Sequence, residues 1–184
     1  MNVEASVSLA NGSRMFFIDN FFTPDLVEGL HSIFQNVNND WKITTQFKHS
    51  PGRLVYTGYQ NTVMQQVTSY CKDATSWVSG VIGQDVEFKQ VDFWLDTKGY
   101  YLPAHYDRGD VDFGLQIYMG TKETINPHLG FTVYRDLQTP LYQMCYRDNS
   151  GYLVDDAYTV MHGMEEEIVP PFERWSVYVR YFKR

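Results

Sequence analysis

Residues 86–95 read VEFKQVDFWL, an alternation of apolar and polar side chains such as a half-buried strand shows. From Val86 onward the chain keeps this character. Further strand candidates are Phe113–Met119, Gly130–Tyr134, Tyr152–Val154, Thr159–Met161 and Trp175–Phe182. Gly, Pro, Asn and Asp turns separate them, and no helical pattern intervenes. Many short strands without helices between them indicate a double-sheet β-barrel or jelly roll.

Upstream of Val86 the pattern is different. Residues 1–13 are polar and small, consistent with a loose arm or an edge strand, and Met15–Phe22 is apolar enough for a buried strand. Thr23 is suited to an N-cap, Pro24 to the first helical position and Asp25 to the positive helix end. Leu26, Val27, Leu30, Ile33 and Phe34 then recur at helical spacing, which predicts a helix over about 24–36. Residues 37–58 read as loop with short strands. Val63, Met64, Val67, Tyr70, Cys71, Ala74, Trp77 and Val78 predict one helix over about 60–82, ending near Gly80 or Gly83. The expectation is a mainly β fold with flanking helices in one domain, 1–184. An N-terminal strand and two helices (1–85) would pack on one outer face of a jelly-roll core (86–184).

Composition narrows the function classes. With 184 residues, 43% hydrophobic and 16% aromatic, the chain can bury a core and is not a disordered protein. Its 14 Tyr and 12 Phe favour sheet. A net charge of -7 offers no basic footprint for nucleic acid, although a local basic patch stays open. Cys71 and Cys145 are too few for a disulfide scaffold or a cysteine zinc site, and read as ordinary thiols of a reducing compartment. No apolar run reaches the roughly 18 residues of a membrane span. The start, MNVEASVSLANGSR, lacks the charged and apolar regions of a signal peptide, so a cytoplasmic domain is expected.

The chemistry-bearing residues are His105, Tyr106 and Asp107, then His162 and Arg174. On a strand, His105 and Asp107 point the same way and Tyr106 the other. His162 follows the apolar stretch Tyr158–Met161 and directly precedes Gly163. Two imidazoles and a carboxylate can occupy one face of a divalent iron and leave the other open, as in non-haem Fe(II) oxygenases. An H-x-D pair alone is common as a surface pair or turn, so the weight falls on the order of the later residues. Arg174 supplies the counter-charge an acidic co-substrate needs; otherwise it is a surface cation on the last strand.

In that order the chain resembles the 2-oxoglutarate/Fe(II)-dependent oxygenase family, in its small prolyl 4-hydroxylase-like branch, over most of its length. FFIDNFFTPDLVEGLHSIF looks like that branch's opening strand and helix, and Gly99 precedes His105 at the family's offset in GYYLPAHYD. Ile117-Tyr118-Met119-Gly120 resembles the family's Tyr-Leu-Asn strand. Leu129-Gly130-Phe131-Thr132-Val133-Tyr134 resembles its Gly-Gly-x-Thr-x-Phe element. His162-Gly163-Met164, then Arg174-Trp175-Ser176, are similar to its closing His-Gly-Val and Arg-x-Ser.

The resemblance implies a double-stranded β-helix with His105, Asp107 and His162 as catalytic Fe(II) ligands. It implies Arg174 as partner of the distal carboxylate of 2-oxoglutarate, with Tyr118 and Ser176 adding hydroxyls. It further implies O2 as co-substrate and release of succinate and CO2. The implied reaction hydroxylates a C–H of a peptidyl residue, or of an amino acid or other small molecule. Two departures stand out. Phe93-Trp94-Leu95-Asp96 has no Tyr where relatives place a second contact to 2-oxoglutarate, and Leu129 replaces a Gly.

Alternatives remain at this stage. Arg180 shares a strand face with Arg174, a pairing similar to that of AlkB-type nucleic-acid demethylases, although Ser176 stands where that pattern has Asn; an ion pair is the plainer role. A non-catalytic jelly-roll module and a cupin-type metal enzyme without 2-oxoglutarate are the other classes. Asp110 and Asp112 lack the ligand spacing of Asp107. His31, His49 and His128 read as surface or structural, and Glu165–Glu167 as a solvated turn. Tyr100, Tyr101, Trp94 and Arg108 could line a substrate mouth or be core aromatics and one exposed cation.

Overall fold

The structure is a computed structural model. It describes residues 1–9, 12–43, 52–107, 112–120, 126–136, 139–156 and 158–184, with backbone only at 126–128 and 136. His49, Arg108 and Asp110 lie outside the described residues, as does the side chain of His128. In chain order the elements are β1 (Asn2–Ser8), β2 (Arg14–Asp19), α1 (Pro24–Gln35), β3 (Trp41–Ile43), β4 (Arg53–Tyr56), α2 (Thr62–Asp73) and α3 (Thr75–Ile82). Then follow β5 (Val86–Asp96), β6 (Phe113–Tyr118), β7 (Asn126–Asp136), β8 (Thr139–Tyr146), β9 (Ser150–Val154), β10 (His162–Gly163) and β11 (Arg174–Lys183).

Two antiparallel sheets form: β1-β2-β9-β6-β11-β5-β4-β3, and a smaller β10-β7-β8. Period-2 alternation divides the larger sheet between two cores. Val177, Val179 and Tyr181 of β11, Leu115 and Ile117 of β6, Phe16 and Ile18 of β2, and Phe93 and Leu95 of β5 pack in one cluster with the three helices. Tyr118 of β6, Met15 and Phe17 of β2, and Tyr152 and Val154 of β9 belong to a second cluster, with Phe131 and Val133 of the smaller sheet. Arg174 and Ser176 share the strand parity that faces the second cluster. The helices thus buttress the back of the large sheet and leave its front for chemistry. Among the described residues no helix is long and apolar enough to cross a membrane.

Several expectations need correction. The helix over 60–82 is two, broken at Ala74, so three helices rather than two cover the sheet. Asn61 caps α2, its side-chain oxygen accepting from Val63 and Met64, while Gly83 ends α3 in the left-handed conformation at φ 78°. Thr23 makes no side-chain cap bond; its carbonyl receives the Val27 N–H instead. Thr159–Met161 is not a strand, since pairing begins only at His162, opposite Val133. β8 was missed because Leu141 and Tyr142 are exposed, so the segment shows no buried stripe. The second half of β5 is buried on both faces, which ends its alternation.

Candidate active site

His105 does not lie on a strand with Asp107, as the spacing suggested. It forms an isolated antiparallel bridge to His162 and Asp107 follows in a loop. The two backbones exchange hydrogen bonds, His105 N–H to His162 O and His162 N–H to His105 O, both 2.9 Å. This bridge sets the imidazoles side by side, with ring centroids 4.5 Å apart. Gly163 permits it. A Cβ there would lie 2.7 Å from the Leu102 carbonyl and 2.9 Å from the Ala104 N, both backbone atoms. A Gly163→Ala variant is therefore expected to lose about 1–3 kcal/mol of stability and to weaken divalent-metal binding, measured by thermal unfolding and calorimetry. Wild-type values in both assays would show that the bridge tolerates the methyl group.

One ligand atom each from His105, Asp107 and His162 lies within 4.8 Å of the other two. Asp107 Oδ1 is 3.4 Å from His105 Nε2 and 3.6 Å from His162 Nε2. The other ring nitrogens are held by the backbone: His105 Nδ1 is 2.9 Å from Pro103 O, and His162 Nδ1 is 2.8 Å from Val160 O. A carbonyl can only accept, so both Nδ1 atoms carry a proton, and the ring atoms turned toward Asp107 are the two Nε2 atoms. Backbone partners of this kind fix the tautomer and aim of ligating histidines. Burial pushes the His162 imidazole below its ordinary value and outweighs the attraction of Asp107, keeping the ring neutral as a ligand must be. For Asp107, burial acts upward, but the His105 hydrogen bond and both imidazoles bring the carboxyl below its usual range. Tyr106 is 44% exposed and points away.

Contiguous rings run from this cluster into the space between the sheets. Phe131 stacks on His162 at 4.9 Å and on Tyr152 at 3.8 Å, and Tyr152 lies 6.3 Å from Tyr118. Arg174 closes the row, its guanidinium 5.8 Å from the Tyr118 ring and 5.5 Å from the Tyr100 ring. Arg174 is buried at 3% exposure rather than a surface cation. It donates to Asp96 through Nε (3.0 Å) and Nη2 (2.8 Å), and to Leu129 O through Nη1 (3.2 Å). The substituted Leu129 thus contributes its carbonyl. Asp96 also receives Nε (2.5 Å) and Nη2 (2.9 Å) of Arg53. Among the described residues two guanidiniums share the Asp96 carboxylate, so these three side chains together carry one positive charge in excess. The hydroxyls of Tyr100 and Tyr118 are buried beside it, with no hydrogen-bond partner among the described residues. Burial pushes the Tyr100 hydroxyl up to about 12, and raises Tyr118 as well, so both remain proton donors.

Other expected residues fall nearby or elsewhere. Ser176 is buried, its oxygen accepting from Gln116 Nε2 (2.9 Å), while Tyr152 donates to Gln116 Oε1 (2.6 Å). Arg180 pairs with Asp92 at 3.0 Å, the plainer of its two roles. Trp94 stacks on Tyr178 at 4.5 Å. His31 pairs with Asp148 and Asp112 accepts the Lys183 N–H, both away from the cluster. Glu165–Glu167 are exposed, as a solvated turn requires. Sequence reasoning missed Arg53 and Asp96 and left Tyr100 undecided. An arginine opening an apolar strand, as in RLVY at 53–56, was the available signal for a buried ion pair.

Comparison with solved structures follows the same geometry. HygX from Streptomyces hygroscopicus, with nickel and 2-oxoglutarate bound, superposes at TM-score 0.64 with 13% identity, over 92% of this chain and 82% of that one. A prolyl-4-hydroxylase from Pseudomonas putida gives 0.66 and 14%, over 92% of both chains. A prolyl hydroxylase from Trichoplax adhaerens, in complex with a hypoxia inducible factor oxygen degradation domain peptide fragment, gives 0.65 and 10%, over 92% and 83%. The fold is that of the 2-oxoglutarate/Fe(II) oxygenases. At these identities the likeness establishes architecture, and no protein-family model and no curated protein matches the sequence.

Proposed function

We propose that this protein is an Fe(II)- and 2-oxoglutarate-dependent dioxygenase that hydroxylates a C–H bond. The observation that carries the reading is the pairing of the His105, Asp107 and His162 cluster with a buried cationic pocket. The donor set fits iron: two imidazoles and a carboxylate converge, and the backbone bonds at Nδ1 leave each Nε2 to ligate. The pocket fits a carboxylate, since its excess positive charge and two unpartnered hydroxyls offer what such a group accepts.

Iron with bound 2-oxoglutarate would supply the O2-activating chemistry, in which succinate and CO2 leave and the substrate C–H is hydroxylated. The chain's own contribution is positioning. Arg174 holds the distal carboxylate, with Tyr118 and Tyr100 as added donors, and Ser176 sits beside them on β11. The Phe131 and Tyr152 rings lie between His162 and Tyr118 and present an apolar wall there. The chain acts as one domain, with 1–85 supporting 86–184. Its free thiols, Cys71 and Cys145, support a reducing compartment, the cytoplasm. The substrate is a peptidyl residue, as in a prolyl hydroxylase, or an amino acid or other small molecule. The peptide held by the Trichoplax relative and the hygromycin B bound in a further HygX structure represent these two kinds.

The decisive experiment incubates purified protein with Fe(II), 2-oxoglutarate and O2 and screens peptides and amino acids for stimulated succinate release. Succinate that depends on both iron and 2-oxoglutarate is expected; metal binding without any consumption of 2-oxoglutarate would leave a cupin-type reading. Tyr118→Phe is expected to raise the KM for 2-oxoglutarate by roughly 10-fold or more, through loss of a hydrogen bond to a charged group, with metal affinity unchanged. An unaltered KM would remove Tyr118 from the pocket.

A further inference from the structure

We propose that Arg53 is a positioning residue that sets the charge of the inner pocket and so makes it select a 2-oxo acid bearing a second carboxylate. The inference rests on the site reading above. Arg53, Asp96 and Arg174 occupy one rung across three neighbouring strands. Asp96 is the register partner of Arg53 on β4 and of Arg174 on β11. Exposures of 2%, 0% and 3% place the rung in the interior. With Arg174 alone, Asp96 would form a neutral pair, and the charge meant for a ligand would be internally satisfied. Arg53 supplies the second cation, so the rung carries one net positive charge beside Tyr100 and Tyr118.

The placement of Arg53 is rigid as well as charged. Its guanidinium lies 3.9 Å from the Trp94 ring and 4.3 Å from the Tyr100 ring, packed against two aromatic side chains while it forks onto Asp96. A fork of fixed donors, packed against rings, is a role an ammonium fills less well. Arg53 therefore acts through Asp96: it draws the carboxylate's charge toward β4 and leaves Arg174 under-neutralised. A dicarboxylate would complete the rung, and a monocarboxylate of the same length would leave its charge unmet.

The test uses protein loaded with Mn(II) under nitrogen, so that binding is read without turnover. Calorimetry compares 2-oxoglutarate with 2-oxopentanoate, which has the same chain but lacks the distal carboxylate. Arg53→Met is expected to weaken 2-oxoglutarate binding on the order of 30-fold or more. It should leave 2-oxopentanoate within about threefold and Mn(II) affinity unchanged, because its charge acts only on the distal end. Arg53→Lys, which keeps the charge but not the fork, should recover part of the lost preference, whereas the uncharged variants recover none. If Arg53→Met does not fold, Arg53→Gln, which retains a donor toward Asp96 without charge, carries the same comparison. A variant that folds, binds Mn(II) and keeps the wild-type preference overturns the role of Arg53 alone. Wild-type protein that binds Mn(II) but no 2-oxoglutarate overturns the functional reading itself, and the inference with it.

Discussion

Asp107→Ala is expected to reduce iron-dependent consumption of 2-oxoglutarate on the order of 10³-fold or more, to below detection. Asp107 is the carboxylate of the cluster, placed 3.4 Å and 3.6 Å from the two Nε2 atoms. Without it two neutral imidazoles remain, too weak a set to hold a divalent ion on one face. His162→Ala should behave alike and disturb the backbone less than a change at Gly163. Asp112→Ala is the matched control, because that carboxylate accepts the Lys183 N–H and is not among the three clustered residues. Metal stoichiometry by calorimetry and succinate by chromatography separate these variants. Stoichiometric metal with undiminished decarboxylation in Asp107→Ala would refute the site.

The largest effect on stability is expected at Asp96. Asp96→Ala strips the shared carboxylate from two buried guanidiniums and should destabilise the fold by about 3–5 kcal/mol. For a chain of this size that is roughly 6–20 °C in Tm. The pH dependence has a definite sign. Burial pushes the Asp96 carboxyl up, but Arg53 and Arg174 overcome that and hold it below the ordinary carboxylate value. A carboxyl depressed in the folded state contributes fully above its unfolded value of roughly 3.9, and the contribution fades as pH falls further toward the folded value. Asp96→Asn should therefore differ most from wild type near neutrality and converge with it below about pH 4. Thermal unfolding across pH measures this; a gap that widens toward acid would contradict the pairing.

The fold was legible where burial has a period. α1 and β11 show their faces in the residue order, because each packs one side on a continuous core. Thr159–Met161 misled because Val160 is buried in an irregular stretch before β10 rather than in a ladder. Leu141 and Tyr142 hid β8 by being exposed. In the site, the proposed metal ligands were readable because ligand chemistry restricts which side chains qualify. Arg53, Asp96 and Tyr100 were not, since a buried rung is made by strands that meet only after folding, and no local spacing announces it. Ala74 similarly gives no warning of a helix break, as alanine is the best of helix formers.

Alternate positions of β11 serve opposite layers: Val177, Val179 and Tyr181 meet the helices, while Arg174, Ser176, Tyr178 and Arg180 have the opposite parity. Inserting or deleting a single residue within this strand would reverse every later side chain, turning oil toward the reacting groups and ions toward the oil. Changes of length there are thus far more damaging than changes of residue. Diversification of such a fold is confined to the connecting segments and to substitutions that respect the odd–even order.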